Sequence, residues 1–226
     1  MKVSTGCPEL DALLRGGLDS GAITEFYGEA GTGKTSICMQ IARGVCSSGK
    51  KVVYIDTEGL SADRLEQVCG SELAKGILLF EPYDFDEQDK DVEKAAKLAQ
   101  SNRDVGLVIL DSATMHYRVD MRSEMERSER KSLNTQLTHL LRVARSRDIP
   151  VLITSQVYTD IETNEYKPLG GHVLHHNAKT IIKLEKVEGG KRRAILMKHR
   201  AIPEGGSVDF VLTDKGIDGC PGMGAD

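Results

Sequence analysis

The stretch Gly28-Glu29-Ala30-Gly31-Thr32-Gly33-Lys34-Thr35, followed by Ser36, constrains the fold more than any other feature of the chain. It satisfies G-x-x-x-x-G-K-[ST] and stands between two distinct runs. A strand-like run, Ala22-Ile23-Thr24-Glu25-Phe26-Tyr27, precedes it, and a helix-like run beginning Ser36-Ile37-Cys38-Met39 follows. In such a loop the glycines let successive N–H groups turn toward a phosphate, and the helix N-terminus adds partial positive charge. Lys34 then reaches the β- and γ-phosphates, and the Thr35 hydroxyl holds Mg²⁺. At average composition the pattern arises by chance in a chain this long on the order of once in a hundred. Residues 28–36 therefore predict a nucleoside triphosphate site.

The remaining chain supplies the sheet that such a loop needs. Apolar runs over 51–56, 76–80, 105–111 and 149–154 alternate with helical stretches near 61–75, 89–101 and 128–146. That alternation predicts an α/β fold, a mostly parallel twisted sheet with helices on both faces. Beyond Ala178 the texture changes. Runs at 180–187, 192–198 and 208–212, with Gly189-Gly190 and Gly205-Gly206 at the turns, predict a C-terminal β-meander. No repeat, low-complexity segment or linker interrupts the 226 residues, so one domain over 1–226 is expected.

Composition narrows the setting. No apolar run approaches a membrane span and the first residues carry no apolar leader, so a cytoplasmic protein is expected. Cys7, Cys38, Cys46, Cys69 and Cys220 form no C-x-x-C pair and read as reduced thiols. The net charge of −4 excludes a uniformly basic nucleic-acid binder, but its distribution is uneven. Segment 81–104 carries eight acidic and four basic side chains, and 118–147 the reverse. Segment 179–200 carries eight basic against two acidic, a basic surface that could serve a polyanion.

The second half of the phosphate chemistry is also legible. Leu107-Val108-Ile109-Leu110-Asp111 ends an apolar strand in a carboxylate that would face Mg²⁺. Glu58, just past the strand 51–56, is the candidate to orient and deprotonate an attacking water. Gln156, past the strand 149–154, can touch a γ-phosphate and report its loss to the loop beyond; it could equally cap a turn.

These residues, taken with Ser4-Thr5-Gly6-Cys7-Pro8-Glu9-Leu10-Asp11, Asp111-Ser112-Ala113-Thr114, Thr154-Ser155-Gln156-Val157 and Lys167-Pro168-Leu169-Gly170-Gly171, carry a resemblance. The chain resembles the RecA/RadA recombinase superfamily, and within it the archaeal RadB branch, from about residue 4 to residue 217. The resemblance implies a RecA-like core, ATP and Mg²⁺ as cofactors, Glu58 as the catalytic glutamate and Arg64 as the arginine stacked on the adenine. It makes Gln156 the start of a second DNA-binding loop, 157–172, and places the first at 117–130, with Arg118, Arg122 and Arg130. It sets His176 near a neighbouring subunit's γ-phosphate.

Three departures qualify it. The chain begins at the core, without the family's N-terminal helical domain or polymerisation linker, so filament growth is not expected. The first loop, 120–130, has no glycine and alternates charge at helical spacing, which predicts a more helical segment. Lys198-His199-Arg200 stands where RadA-like recombinases keep an aspartate beside ATP at the protomer interface. A lysine there could reach a neighbour's γ-phosphate, but DNA phosphate is the favoured ligand.

The expected role is an accessory protein of homologous recombination and DNA repair. It would bind ATP–Mg²⁺ and DNA, single-stranded or branched and with little sequence preference, and hydrolyse ATP slowly. It would perform little strand exchange itself, and act on the main recombinase or a junction-resolving nuclease, at most as a weak homo-oligomer. The alternatives are a full strand-exchange recombinase, a KaiC-like regulator of a protein partner, and an ATP-bound scaffold without useful turnover.

Overall fold

The structure, a computed structural model, describes residues 1–117, 124–159 and 166–220. In chain order its elements begin β1 (Lys2–Val3), α1 (Pro8–Leu13), β2 (Leu18–Asp19), β3 (Ile23–Gly28), α2 (Lys34–Ser47) and β4 (Lys51–Asp56). Then come α3 (Ala62–Cys69), α4 (Ser71–Ala74), β5 (Ile77–Phe80), α5 (Phe85–Ser101), β6 (Val105–Asp111), α6 (Glu124–Arg147) and β7 (Val151–Ser155). The remainder is β8 (Val157–Thr159), β9 (Tyr166–Pro168), α7 (Gly171–Asn177), β10 (Thr180–Lys186), β11 (Arg192–His199), β12 (Ser207–Thr213) and β13 (Gly216–Gly219).

Nine strands form one sheet in the order β13-β12-β11-β10-β3-β7-β6-β4-β5. From β10 to β5 the neighbours run parallel, and β11, β12 and β13 extend the sheet antiparallel. The expected RecA-like α/β architecture with a C-terminal meander is present. Its central strands are apolar on both sides because both faces are covered. Val53, Ile55, Val108, Leu110 and Ile153 pack under α5, α6 and α7 with Val92, Leu137, Leu140 and Leu174. The alternate residues Val52, Tyr54, Leu107, Ile109 and Leu152 pack under α1 and α2 with Leu10, Ile37 and Ile41.

Three boundaries differ from expectation. The helix expected over 61–75 is two helices, because Gly70 adopts φ 76° and ψ 149° and breaks the ladder. The helix expected from 89 starts at Phe85, where the Asp84 side chain caps it by accepting from the Glu87 N–H at 2.8 Å. Strand β13 was not anticipated, since Gly216-Ile217-Asp218-Gly219 holds one apolar residue between glycines. In the first loop, the helical expectation holds for the backbone of 124–130, which opens α6. Among the described residues no helix is long and apolar enough to cross a membrane, and the five cysteines are free.

Candidate functional site

The ends of β3, β4, β6 and β7 meet at one edge of the sheet. The loop leaving β3 runs over the start of α2, with left-handed backbone at Gly31 (φ 75°) and Gly33 (φ 99°). No side chain fits at its key glycines. A Cβ on Gly28 would lie 2.3 Å from the Leu184 carbonyl oxygen, and one on Gly33 2.7 Å from Leu212 Cδ2. The Lys34 ammonium arches back over the loop and donates to the carbonyls of Gly28 (2.9 Å) and Glu29 (3.0 Å). Burial pulls its pKa down, while the nearby Glu58 and Asp111 charges push it up.

Asp111 ends β6 fully buried. Its carboxylate accepts from the Tyr54 hydroxyl at 2.8 Å, from the Thr154 hydroxyl and from Thr35. Burial pushes the Asp111 carboxyl up and those hydrogen bonds pull it down. Burial beside this carboxylate also holds the Tyr54 phenol well above its ordinary range. Thr35 and Asp111, the two expected metal ligands, are thus in direct contact. The cradle, the lysine over it and a buried carboxylate touching the loop hydroxyl fit a nucleotide phosphate with Mg²⁺.

Glu58 follows β4 on an exposed turn that Asp56 shapes, its carboxylate accepting from the N–H groups of Glu58 (3.0 Å) and Leu60. Thr57 ties this turn to β6, donating to the Ser112 carbonyl at 2.8 Å and accepting from its N–H at 2.8 Å. Gln156 leaves β7 with its N–H on the Thr114 hydroxyl at 3.0 Å, and its side-chain amide donates to Glu58 Oε1 at 3.0 Å. The two residues singled out for water activation and sensing therefore touch. Arg64 on α3 donates to the carbonyls of Thr213 (3.0 Å) and Asp214 (2.9 Å) and to Gln67 (2.8 Å). These bonds lock its guanidinium plane against the β12–β13 turn. Glu29, Ala30 and Ser36 line the same loop, with Glu29 also 3.7 Å from Lys186 and hydrogen-bonded by Tyr166.

The basic segment 179–200 divides. Pairing of β10 with β11 puts Lys186 opposite Arg192 at the phosphate-loop edge and Thr180 opposite His199 at the other. Arg192 donates to the Gly31 carbonyl at 2.9 Å. Lys186 and Arg192 were not singled out from the sequence, although the Gly189-Gly190 turn between them fixes their proximity. Lys198, His199 and Arg200 lie at the opposite edge from the chain's own phosphate loop. There Asp19 gathers Lys2 (3.2 Å), Arg200 (3.3 Å) and His199 (3.4 Å).

The three basic residues are not alike. The His199 side chain is 4% exposed, with Nδ1 accepting from the Ala201 N–H at 3.0 Å, and burial lowers its pKa. The Arg200 side chain is 56% exposed, and Lys198 donates to the His175 carbonyl at the end of α7. Exposed cationic surface here comes from Lys198 and Arg200, with His199 turned inward as a brace. Of the remaining DNA-loop candidates, Arg118 and Arg122 lie outside the described residues. Arg130 falls on α6, its side chain outside them. His176 sits exposed on α7.

A family model described as Rad51 matches residues 1–220. The chain belongs to the Rad51 family. Within it, the chain is 46% identical over 217 residues to the DNA repair and recombination protein RadB of Methanococcoides burtonii, covering 94% of this chain and 96% of that one. It is 41% identical over 221 residues to the protein of the same description from Thermoplasma acidophilum, covering 98% and 95%. A solved structure described as the crystal structure of the RadB recombinase superposes with a TM-score of 0.83 at 36% identity. It covers 97% of this Rad51-family chain and 100% of that one. The resemblance to the RadB branch holds over nearly the full length.

Proposed function

We propose that this chain is a DNA-repair and recombination ATPase of low turnover that binds ATP–Mg²⁺ at one sheet edge and DNA at the other. The observation that carries the nucleotide reading is the contact between Glu58 and Gln156, 3.0 Å apart, beside a glycine cradle, Lys34 and the Thr35–Asp111 pair. Thr35 and Asp111 would hold Mg²⁺, which when bound supplies charge neutralisation to the phosphates. Lys34 leaves its two carbonyls for phosphate oxygens, Glu58 takes the proton of the attacking water, and Gln156 steadies that carboxylate. The locked Arg64 plane offers a face for the adenine.

The DNA reading rests on Lys198 and Arg200, with Lys179 close by, as phosphate contacts. Asp19 beside Arg200 already holds two cations, Lys2 and Arg200, together with the His199 imidazole, so Arg200 meets a phosphate only by rearranging that cluster. The role that fits is accessory, modulating the main recombinase or a junction-resolving nuclease.

Fluorescence anisotropy with a labelled single-stranded oligonucleotide, with and without ATP–Mg²⁺, tests it. Removing two phosphate contacts in Lys198→Ala/Arg200→Ala lowers the log–log salt slope by about 1.4, at roughly 0.7 per contact. Between about 50 and about 200 mM salt, the wild type then loses about sevenfold more affinity than the variant. Equal slopes would remove this edge from the DNA site, and no binding at low salt would move the search to a protein partner.

A further inference from the structure

A carboxylate that neither the ATP chemistry nor the DNA edge uses is buried between them. Glu25 sits on β3, three residues before the phosphate loop, 2% exposed between its strand partners Ile181 and Ile153. Its carboxylate accepts from the Ser155 hydroxyl at 2.6 Å, its one hydrogen bond among the described residues. Ser155 ends β7 and immediately precedes Gln156, which grips Glu58. On the other side the sheet register continues the row: Glu25 pairs with Ile181, and Ile181 pairs with Lys198. Partners across adjacent strands share a face, so Lys198, Ile181 and Glu25 stand in one row that continues to Ile153 on β7, and Ser155 is the diagonal neighbour of Glu25 on that face.

We infer that Glu25 is a further residue of the polyanion site, acting through Lys198: it takes up a proton when a phosphate occupies that lysine. The step is a transfer from buffer to the Glu25 carboxylate, with no other bond made or broken. It rests on the DNA reading above. The physical cause is the local charge. Burial pushes Glu25 up to about 7, against the pull of the Ser155 hydrogen bond and the Lys198 ammonium. A phosphate on Lys198 cancels that second pull, and a buried acid with one hydrogen bond then holds its proton.

The other charged and titratable groups nearby are few. Tyr27, on the same strand, is pushed up to about 12 by burial and by the charges of Glu25 and Glu185. Lys179 and Glu204 bear on Lys198, and His175 of α7 supplies the carbonyl it holds. The neighbouring helices α6 and α7 contribute Leu137, Leu140 and Leu174 to the apolar cluster that includes Ile23 and Tyr27.

Calorimetric titration of the wild type with a single-stranded oligonucleotide, in buffers of different ionisation enthalpy, reads the proton directly. At pH 7 a carboxyl with a midpoint of about 7 is about half protonated, so the slope of observed enthalpy against buffer enthalpy is positive and corresponds to an uptake of up to about half a proton per chain. Glu25→Gln, which keeps the shape and can still accept from Ser155, binds with that contribution removed. Carbon-detected carboxyl titration of the wild type adds a readout that needs no variant: the Glu25 midpoint moves up when the oligonucleotide is added. Binding with no buffer dependence, a slope unchanged in Glu25→Gln, or an unmoved carboxyl midpoint overturns the inference while leaving the DNA reading standing. Absence of binding in the wild type overturns both.

Discussion

Replacing Glu25 with Gln should make this protein's stability less sensitive to pH, and the size of the change follows from the site. The carboxyl is buried and accepts from the Ser155 hydroxyl, and burial raises its pKa from 4.5 to about 7. A raised folded-state pKa means that the native protein holds a proton that the unfolded chain has released. Stability from this group is therefore fully present below pH 4.5 and lost as pH rises through about 7. At about 1.36 kcal/mol per pKa unit the whole effect is about 3 kcal/mol, of which about 2.5 kcal/mol falls between pH 5 and pH 8. The amide carries no charge in either state, so Glu25→Gln lacks this loss. Urea denaturation of both proteins at the two pH values, followed by circular dichroism, measures it, because every other titrating group is shared. The wild type should lose about 2–3 kcal/mol more than the variant over that interval. Parallel pH dependences would show that the carboxyl stays ionised in the fold. That result would refute the burial argument.

Three further outcomes follow from the same geometry. Glu58→Gln keeps nucleotide affinity, measured by equilibrium binding, because the side chain meets Gln156 and not the glycine loop. Its single-turnover ATP hydrolysis falls by about 10²–10⁴-fold, the usual worth of a positioned base. Gly33→Ala weakens nucleotide binding at least tenfold by the same assay: its φ of 99° is strained for alanine, and the new Cβ would strike Leu212 at 2.7 Å. Leu140→Ala, fully buried between α6 and the sheet, lowers unfolding free energy by about 2–5 kcal/mol while preserving the far-ultraviolet spectrum.

The phosphate-loop half of the site was legible in the chain because its chemistry is sequence-local. Gly28 through Ser36 are contiguous, and Asp111, Glu58 and Gln156 each follow an apolar run whose end a parallel sheet brings to one edge. The contacts of Asp111 were not legible. Tyr54 reads as a core residue within an apolar strand, and only the β4–β6 pairing of Tyr54 with Ile109 reveals that its hydroxyl reaches the carboxylate. Gly70 lies inside the stretch 61–75 that reads as one helix; whether it breaks one depends on how Val68 and Cys69 pack, which is tertiary information.

The basic segment 179–200 shows the deeper limit. Counted along the chain it is one patch of net +6. Folded as antiparallel β10 and β11 it becomes two, because each residue added on one strand is matched by one going the other way. Lys186 and Arg192 fall beside the phosphate loop, while a strand length away Arg200 falls beside Asp19 and Lys198 on the His175 carbonyl. Charge counting cannot divide a hairpin; the Gly189-Gly190 turn can. With that turn fixed, Lys183 and Arg193 are also accounted for, paired at 2.6 Å with Glu185 and Asp209 respectively. The cations left to meet a polyanion are then those at the two ends. At the basic end the row Lys198, Ile181 and Glu25 leads inward from the edge to a buried carboxylate, which accepts from Ser155 on β7.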